Sequence, residues 1–98
     1  MIYTHIMIVS IRHKALLAFY RDGNSAKLPA AYVRKINRIL DQLDAVTGVD
    51  DILQLGSGVH KLTGELTDFW SIKISPNFQI IFRFENGDVH DIDYLDYH

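Results

Sequence analysis

The sequence predicts an α+β fold, in which an N-terminal strand and two α-helices accompany a small antiparallel β-sheet and both helices pack on one face of the sheet. Three observations predict it. Apolar residues recur at three- and four-residue spacing in two segments of the first half. Apolar and polar residues alternate through the second half, as in strands that bury one face. Asn86-Gly87 is a strong hairpin signal. We expect residues 1–98 to form one domain.

The chain opens with the residues expected to form the N-terminal strand. The stretch "MIYTHIMIVSI" is rich in β-branched residues and predicts a strand that ends near Ile11. Met7 begins a complete opening for this strand, "MIVSIRHK". Residues 1–6 are therefore a candidate N-terminal extension of the domain.

Two amphipathic helices are expected next. The first begins after Arg12 and ends at "DGN", where Gly23 suits the left-handed conformation that often ends a helix. Pro29 suits the first turn of the second helix, which should end near Ala45. The residues predicted to face the core are Ala15, Leu16, Phe19 and Tyr20 in the first helix and Val33, Ile36, Leu40 and Leu43 in the second.

The second half is expected to hold the sheet. "VDDILQLGSG" predicts a short helical turn or loop, and "VHKLTGEL" (59–66) predicts a short strand that runs into a Gly turn. Three antiparallel strands then follow, with a turn at Pro76-Asn77 between the first two. The side chains predicted on the open face, away from the helices, are Lys73, Gln79, Arg83, Asp91, Asp93 and Tyr97.

The last hairpin allows two loop lengths. A two-residue loop would place Phe82 opposite Asp91 and Ile80 opposite Asp93, which buries charge. A three-residue loop over 85–87 is preferred, because a one-residue slip turns every side chain to the wrong face. Its predicted pairs are Phe82 with His90, Ile80 with Ile92 and Phe78 with Tyr94.

Composition narrows the classes of function. There is no cysteine, which excludes disulfides and thiolate metal sites. No apolar run approaches the ~18 residues of a membrane span and no signal peptide is visible, so a cytoplasmic protein without membrane contact is expected. Residues 1–40 hold seven Lys/Arg and one acid, whereas residues 41–98 hold three bases and eleven acids. The basic half predicts either a polyanionic or acidic partner, or a solvated helix surface balanced elsewhere in the fold.

The residues that could carry chemistry are His60-Lys61 and the closing pair Tyr97-His98. Cleavage of RNA without a metal needs a base for the 2′-hydroxyl, a cation for the phosphorane and an acid for the leaving oxygen. Imidazole can donate or accept a proton near neutral pH. The other interpretation is that these histidines are ordinary surface groups. A metal site is disfavoured, because alternation splits its potential ligands between two faces: His90, Asp91, Asp93, Asp96 and His98.

From Met7 onward the chain resembles the HigB-type killer toxins, a branch of the RelE-like toxin superfamily. The resemblance rests on "IRHKALLAFYRDG", on "VHKLTGEL" followed by "FWSIKIS", on "PNFQIIFRFENGD" and on the closing "DYLDYH". It implies a RelE-like fold and a toxin that cuts mRNA in the ribosomal A site by metal-independent 2′-hydroxyl attack. It also implies a helix-turn-helix, HigA-like antitoxin as partner, operator DNA bound only through that antitoxin, and no cofactor.

The resemblance also implies site residues. The catalytic set falls on His60, Asp96, Tyr97 and His98. His98 is expected to act as the acid, because its terminal carboxylate favours imidazolium. His60 is then expected to act as the base, with Tyr97 at the scissile phosphate. The expected RNA- or phosphate-binding residues are Lys61, Lys73, Gln79 and Arg83.

One departure leaves an alternative function open. The family usually has Asn-Trp-Arg where this chain has Asn77-Phe78-Gln79, so the charge expected at position 79 is absent. Lys61 or Lys73 could replace it. The alternative is a weakened or inactive toxin that acts mainly as an antitoxin-binding module in a DNA-binding autorepressor complex.

Overall fold

A four-stranded antiparallel sheet forms the second half of the chain in a computed structural model that describes residues 8–56 and 58–96. The strand order is β1-β2-β3-β4, so each strand pairs with the next in sequence. The elements are α1 (Lys14–Asp22), a 3₁₀ turn (Ala30–Tyr32), α2 (Val33–Asp44), α3 (Val49–Leu53), β1 (Val59–Lys61), a second 3₁₀ turn (Gly64–Leu66), β2 (Phe69–Lys73), β3 (Phe78–Glu85) and β4 (Asp88–Asp96). The predicted α+β class is confirmed.

The ends of α1 follow from local chemistry. His13 is the N-cap, and its Nδ1 accepts the Leu16 N–H at 3.4 Å. At the other end Gly23 has φ 72°, and its N–H donates to the Phe19 carbonyl at 2.9 Å. A residue with a Cβ would be strained in this left-handed conformation. The predicted end of the first helix is therefore confirmed.

The two longer helices cover one face of the sheet, as predicted. The buried residues of α1 and α2 form one cluster with the inward side chains of the strands. Tyr20 of α1 also donates a hydrogen bond to Asp44 of α2 at 2.8 Å, which joins the helices directly. No helix in the described part of the chain is long and apolar enough to cross a membrane. The main buried members of this core are Leu16, Ile36, Ile39, Leu40, Leu43, Ile72, Ile80, Phe82, Val89 and Ile92.

The predicted three-residue loop of the last hairpin is wrong. Glu85 pairs with Asp88, so the loop is Asn86-Gly87 alone, with φ 54° and 82°. Positive φ at both positions suits the right-handed twist of the flanking strands. The predicted pairs fail as well: His90 pairs with Arg83 on the open face, and Ile80 pairs with Tyr94.

A β-bulge resolves the burial problem that the two-residue loop had raised. The register shifts by one residue between Arg83 and Ile81 of β3, and Asp91 of β4 takes φ 55° there. The shift lets β4 bury Val89 before the bulge and Ile92 after it, both 0% exposed. A continuous ladder would have turned one of them outward.

Residues 8–11 run beside β4 in the parallel direction. Ile8 bridges Val89 and Ile11 bridges Ile92, which agrees with a predicted strand end near Ile11. Ser10 Oγ accepts the Asp91 N–H at 2.8 Å, so the segment satisfies a donor that the bulge removes from the ladder. The rest of the predicted N-terminal strand, with Met7 and residues 1–6, lies outside the described residues.

Candidate nuclease site

Strand register places one row of side chains on the open face of the sheet. His60 pairs with Ser71, Ser71 with Ile81, and Ile81 with Asp93. Directly opposed residues of antiparallel strands share a face, so these four side chains point away from the helices. His60 is exposed, whereas Ser71 and Ile81 are each only 4% exposed. The row thus runs from an accessible imidazole over a buried hydroxyl to an apolar side chain and then a carboxylate.

The neighbouring row lies on the same face. Lys73 donates its backbone N–H to the Gly58 carbonyl at 3.3 Å and pairs with Gln79, which in turn pairs with Leu95. Lys73 is therefore the diagonal neighbour of His60, at a separation of about 7–8 Å between residues. Both border an open hollow of about 300 Å³, which we call the His60 depression. Its lining residues are Gly58, His60, Ser71, Lys73 and Pro76.

The other end of the open face carries a group of paired charges, which we call the Asp91 cluster. It consists of Arg12, Arg83, Glu85 and Asp91. Arg83 Nε lies 3.2 Å from Asp91 Oδ2, Arg12 Nε lies 3.5 Å from Asp91 Oδ1, and Arg83 Nη1 contacts Glu85. Each guanidinium in the cluster thus already faces a carboxylate.

The Asp91 cluster shifts the titration of its members. Partial burial acts to raise the pKa of Asp91, but the Arg83 hydrogen bond, the charges of Arg12 and Arg83, and the Ser10 hydroxyl outweigh it. The pKa of Asp91 therefore falls below its ordinary 3.8. The hydrogen bond to Asp91 in turn raises the pKa of Arg83. These directions show a cluster whose charges stabilise one another.

The four residues predicted to bind phosphate do not share one surface. Lys73 and Gln79 oppose each other beside the His60 depression. Arg83 belongs to the Asp91 cluster. Lys61 pairs with Trp70, and its Nζ lies 5.9 Å from the Trp70 ring centroid. It borders a second hollow of about 330 Å³, which Arg83 and Glu85 of the Asp91 cluster also line.

The predicted catalytic residues are described only in part. His60 is placed, but Tyr97 and His98 lie outside the described residues, as does the side chain of Asp96. The backbone of Asp96 pairs with Phe78. That position follows Leu95 of the Lys73 row, so β4 ends at the same end of the sheet as the His60 depression. The separation from His60 is three strand spacings across, about 14 Å, and three residues along, about 10 Å. The assignment of His60, Asp96, Tyr97 and His98 to one catalytic set therefore stays a prediction.

Three lining residues of the depression, Gly58, Ser71 and Pro76, were not predicted as site residues. Ser71 opposes His60, and Gly58 lies against Lys73, where a Cβ would sit 3.1 Å from the Lys73 Cβ. Ser71 lies two residues before Lys73, so alternation places both on the open face, but no sequence signal shows which residue of β1 Ser71 meets. Within residues 8–56 and 58–96, no three His, Asp or Glu side chains are grouped so as to hold a metal ion.

The fold and the sequence comparisons identify the class of protein. A sequence model of the family described as "RelE-like toxin of type II toxin-antitoxin system HigB" matches residues 9–98. The chain therefore belongs to the RelE-like toxins of type II toxin–antitoxin systems, and within them to the HigB family. It is 35% identical to Endoribonuclease HigB of Proteus vulgaris over 92 residues, which cover 94% of this chain and 100% of that relative. The resemblance drawn from the sequence is confirmed.

Proposed function

We propose that this toxin is an endoribonuclease that cuts mRNA in the ribosomal A site by attack of a 2′-hydroxyl, without a metal ion. The observation that carries the proposal is the His60 depression, in which an accessible imidazole and an ammonium border one hollow on the open face. The similarity to a relative named an endoribonuclease supports it. A phosphodiester could approach this face from solvent.

The proposed chemistry divides acid and base between two histidines. His60 takes the proton of the 2′-hydroxyl, and the O2′ attacks the adjacent phosphorus to form a phosphorane. His98 gives a proton to the departing 5′-oxygen as the P–O5′ bond breaks. The products are a 2′,3′-cyclic phosphate and a free 5′-hydroxyl. Tyr97 positions the scissile phosphate, and Asp96 completes the set that the family resemblance implies.

The proposed partners follow from the charge distribution. Arg34 and Arg38 are exposed on α2 and supply a basic surface for ribosomal RNA, whose binding depends mainly on phosphate neutralisation. Such a toxin works where ribosomes are, in the cytoplasm. Its antitoxin is a HigA-like helix-turn-helix protein, through which the complex reaches operator DNA.

The decisive test uses purified ribosomes programmed with an mRNA whose A-site codon is cut. His60→Ala should lower the single-turnover rate at least 100-fold, because removal of a general base costs about 10²–10⁴ in rate. A 2′-deoxy substitution at the attacking nucleotide should abolish cleavage. His90→Gln is the matched control, since His90 lies on the same face but opposite Arg83, and its rate should equal that of the wild type. Cleavage of the deoxy substrate at the normal rate would exclude hydroxyl attack.

The alternative of a weakened toxin in a repressor complex is separated by a genetic test. The gene is induced alone and then together with the adjacent open reading frame. Growth arrest that the neighbour relieves is expected for an active toxin. Absence of arrest, with the partner complex still bound to operator DNA, would support the binding module instead.

A further inference from the structure

We infer that the Lys73 ammonium neutralises the charge of the phosphate under attack in the His60 depression. The inference rests on the proposed nuclease function and gives that site its cation. Negative charge grows on the phosphoryl oxygens when the 2′-oxygen adds, and a fixed cation beside them accelerates the step. An ammonium serves this purpose as a compact charge with three donors.

The location of Lys73 is the first argument. Its diagonal relation to His60 lets the two side chains reach one phosphate from neighbouring strands, since long side chains span diagonal positions on one face. Ser71 lies between them on the floor of the same hollow and is 4% exposed. Ile81 separates this floor from Asp93, so an apolar side chain stands between the depression and the carboxylate of its row.

The state of the other cations is the second argument. Arg83 is held by Asp91 and Glu85, and Lys61 sits against Trp70 at the second hollow, away from His60. Lys73 is exposed and, in the described part of the chain, forms no ion pair. Of the three cations predicted to contact phosphate, it is the one that borders the His60 depression, and no described carboxylate pairs with it.

The residue opposite Lys73 supplies the third argument and the test. Gln79 is its direct cross-strand partner, at a Cβ distance of about 4.5–5.5 Å. A cation at position 79 would therefore enter nearly the same space from the adjacent strand. If charge at this place is what matters, it can be moved from position 73 to position 79 with recovery of activity.

The experiment measures single-turnover cleavage at saturating programmed ribosomes. Lys73→Gln should lower the rate about 100-fold, the usual loss for one electrostatic stabiliser. Lys73→Arg should keep most of the rate, and Lys73→Gln combined with Gln79→Arg should recover at least about tenfold. Lys14→Gln, which removes the same charge from the exposed start of α1, should match the wild type. Thermal unfolding and antitoxin binding confirm that each variant is folded.

Three results would overturn the inference. Lys73→Gln within threefold of the wild-type rate would show that its charge is not needed. Loss without recovery in the double variant would show that position 73 matters for something other than charge in this space. A large loss in Lys61→Gln but none in Lys73→Gln would give the role to Lys61. If wild-type protein does not cleave at all, the proposed function fails instead, which distinguishes the two failures.

Discussion

Both ends of the open face carry basic side chains, but these are paired with a carboxylate at only one of the two ends. At one end the His60 depression presents an imidazole and an ammonium to solvent. At the other end, the Arg83 and Arg12 guanidiniums face the one carboxylate of Asp91 at 3.2 and 3.5 Å. Both ends sit on the same sheet in a chain of net charge −2. A Lys or Arg on the open face is therefore not by itself evidence of a phosphate site, because a neighbouring carboxylate can already neutralise its charge.

The β-bulge produces this difference. In a continuous ladder from the Asn86-Gly87 loop, Asp91 would oppose Phe82 and face the core. The bulge instead gives Asp91 a φ of 55° and brings its carboxylate between Arg12 and Arg83. One local departure from regular pairing thus removes a charge from the core and neutralises the far end of the open face.

The most severe way to break the Asp91 cluster is Asp91→Ala. The change removes both ion pairs and places alanine at a positive φ that Asp and Asn tolerate better. We expect the free energy of unfolding to fall by about 2 kcal/mol, of which roughly half is backbone strain. Asp91→Asn, which keeps the favoured conformation but not the charge, should lose about 1 kcal/mol. Urea denaturation measures both, and equal losses would show that the strain contribution is absent.

The charge of Asp91 can also be removed by acid. The pKa of Asp91 in the folded protein lies below the ordinary 3.8. The ionised carboxylate therefore stabilises the fold fully above pH 3.8, and this stabilisation is lost as the pH falls through the folded pKa. The difference in unfolding free energy between the wild type and Asp91→Asn should be full at pH 7 and should shrink below about pH 4. Urea denaturation at pH 7, 5 and 3 measures it. A difference that stays constant down to pH 3 would contradict the assignment.

The hydrogen bond between Tyr20 and Asp44 should lose its contribution to stability at high pH, whereas the Asp91 cluster loses its contribution at low pH. Burial, the Asp44 hydrogen bond and the Asp44 charge raise the pKa of Tyr20 to about 12. The contribution of Tyr20 to stability is therefore full below pH 10 and is lost as the pH rises toward 12. Tyr20→Phe should lower the unfolding free energy by about 1 kcal/mol at pH 7. Absorbance titration of the phenolates should show one fewer high-pKa tyrosine in the variant, and an unchanged titration would contradict the pairing.

The smallest expected effect is a change in the shape of the His60 depression. In Gly58→Ala the new methyl would lie 3.1 Å from the Lys73 Cβ, so Lys73 must shift by a few tenths of an ångström. We expect the cleavage rate to fall by about threefold, because small misplacements of a group beside the reacting bond reduce the rate. Gly48→Ala is the control, since its methyl meets nothing within 4 Å. Equal rates in the two variants would show that the position of Lys73 is not limiting.

Local patterns predicted most of the fold. The spacing of Leu16 and Phe19, the glycine at position 23 and the alternation through β2 and β3 each depend on neighbouring residues. The predicted first helix end and antiparallel strands are accordingly confirmed. The error arose at the last hairpin, where both loop choices assumed an unbroken ladder. A bulge interrupts the ladder instead, and its stability depends on the contact of Asp91 with Ser10 near the other end of the chain.

The candidate site likewise has features that local sequence patterns predict and features that only tertiary contacts determine. His60, Lys73 and Arg83 were already predicted from the sequence as candidate site residues. The pairing of His60 with Ser71, and the capture of Arg83 by Asp91, depend on strand register and on Ser10, which lies 81 residues from Asp91 in the chain. Short-range periodicity therefore specifies which face a side chain occupies, whereas contacts between distant segments specify its neighbours. For this toxin those neighbours pair Arg83 with Asp91 and Glu85, whereas Lys73 forms no ion pair among residues 8–56 and 58–96.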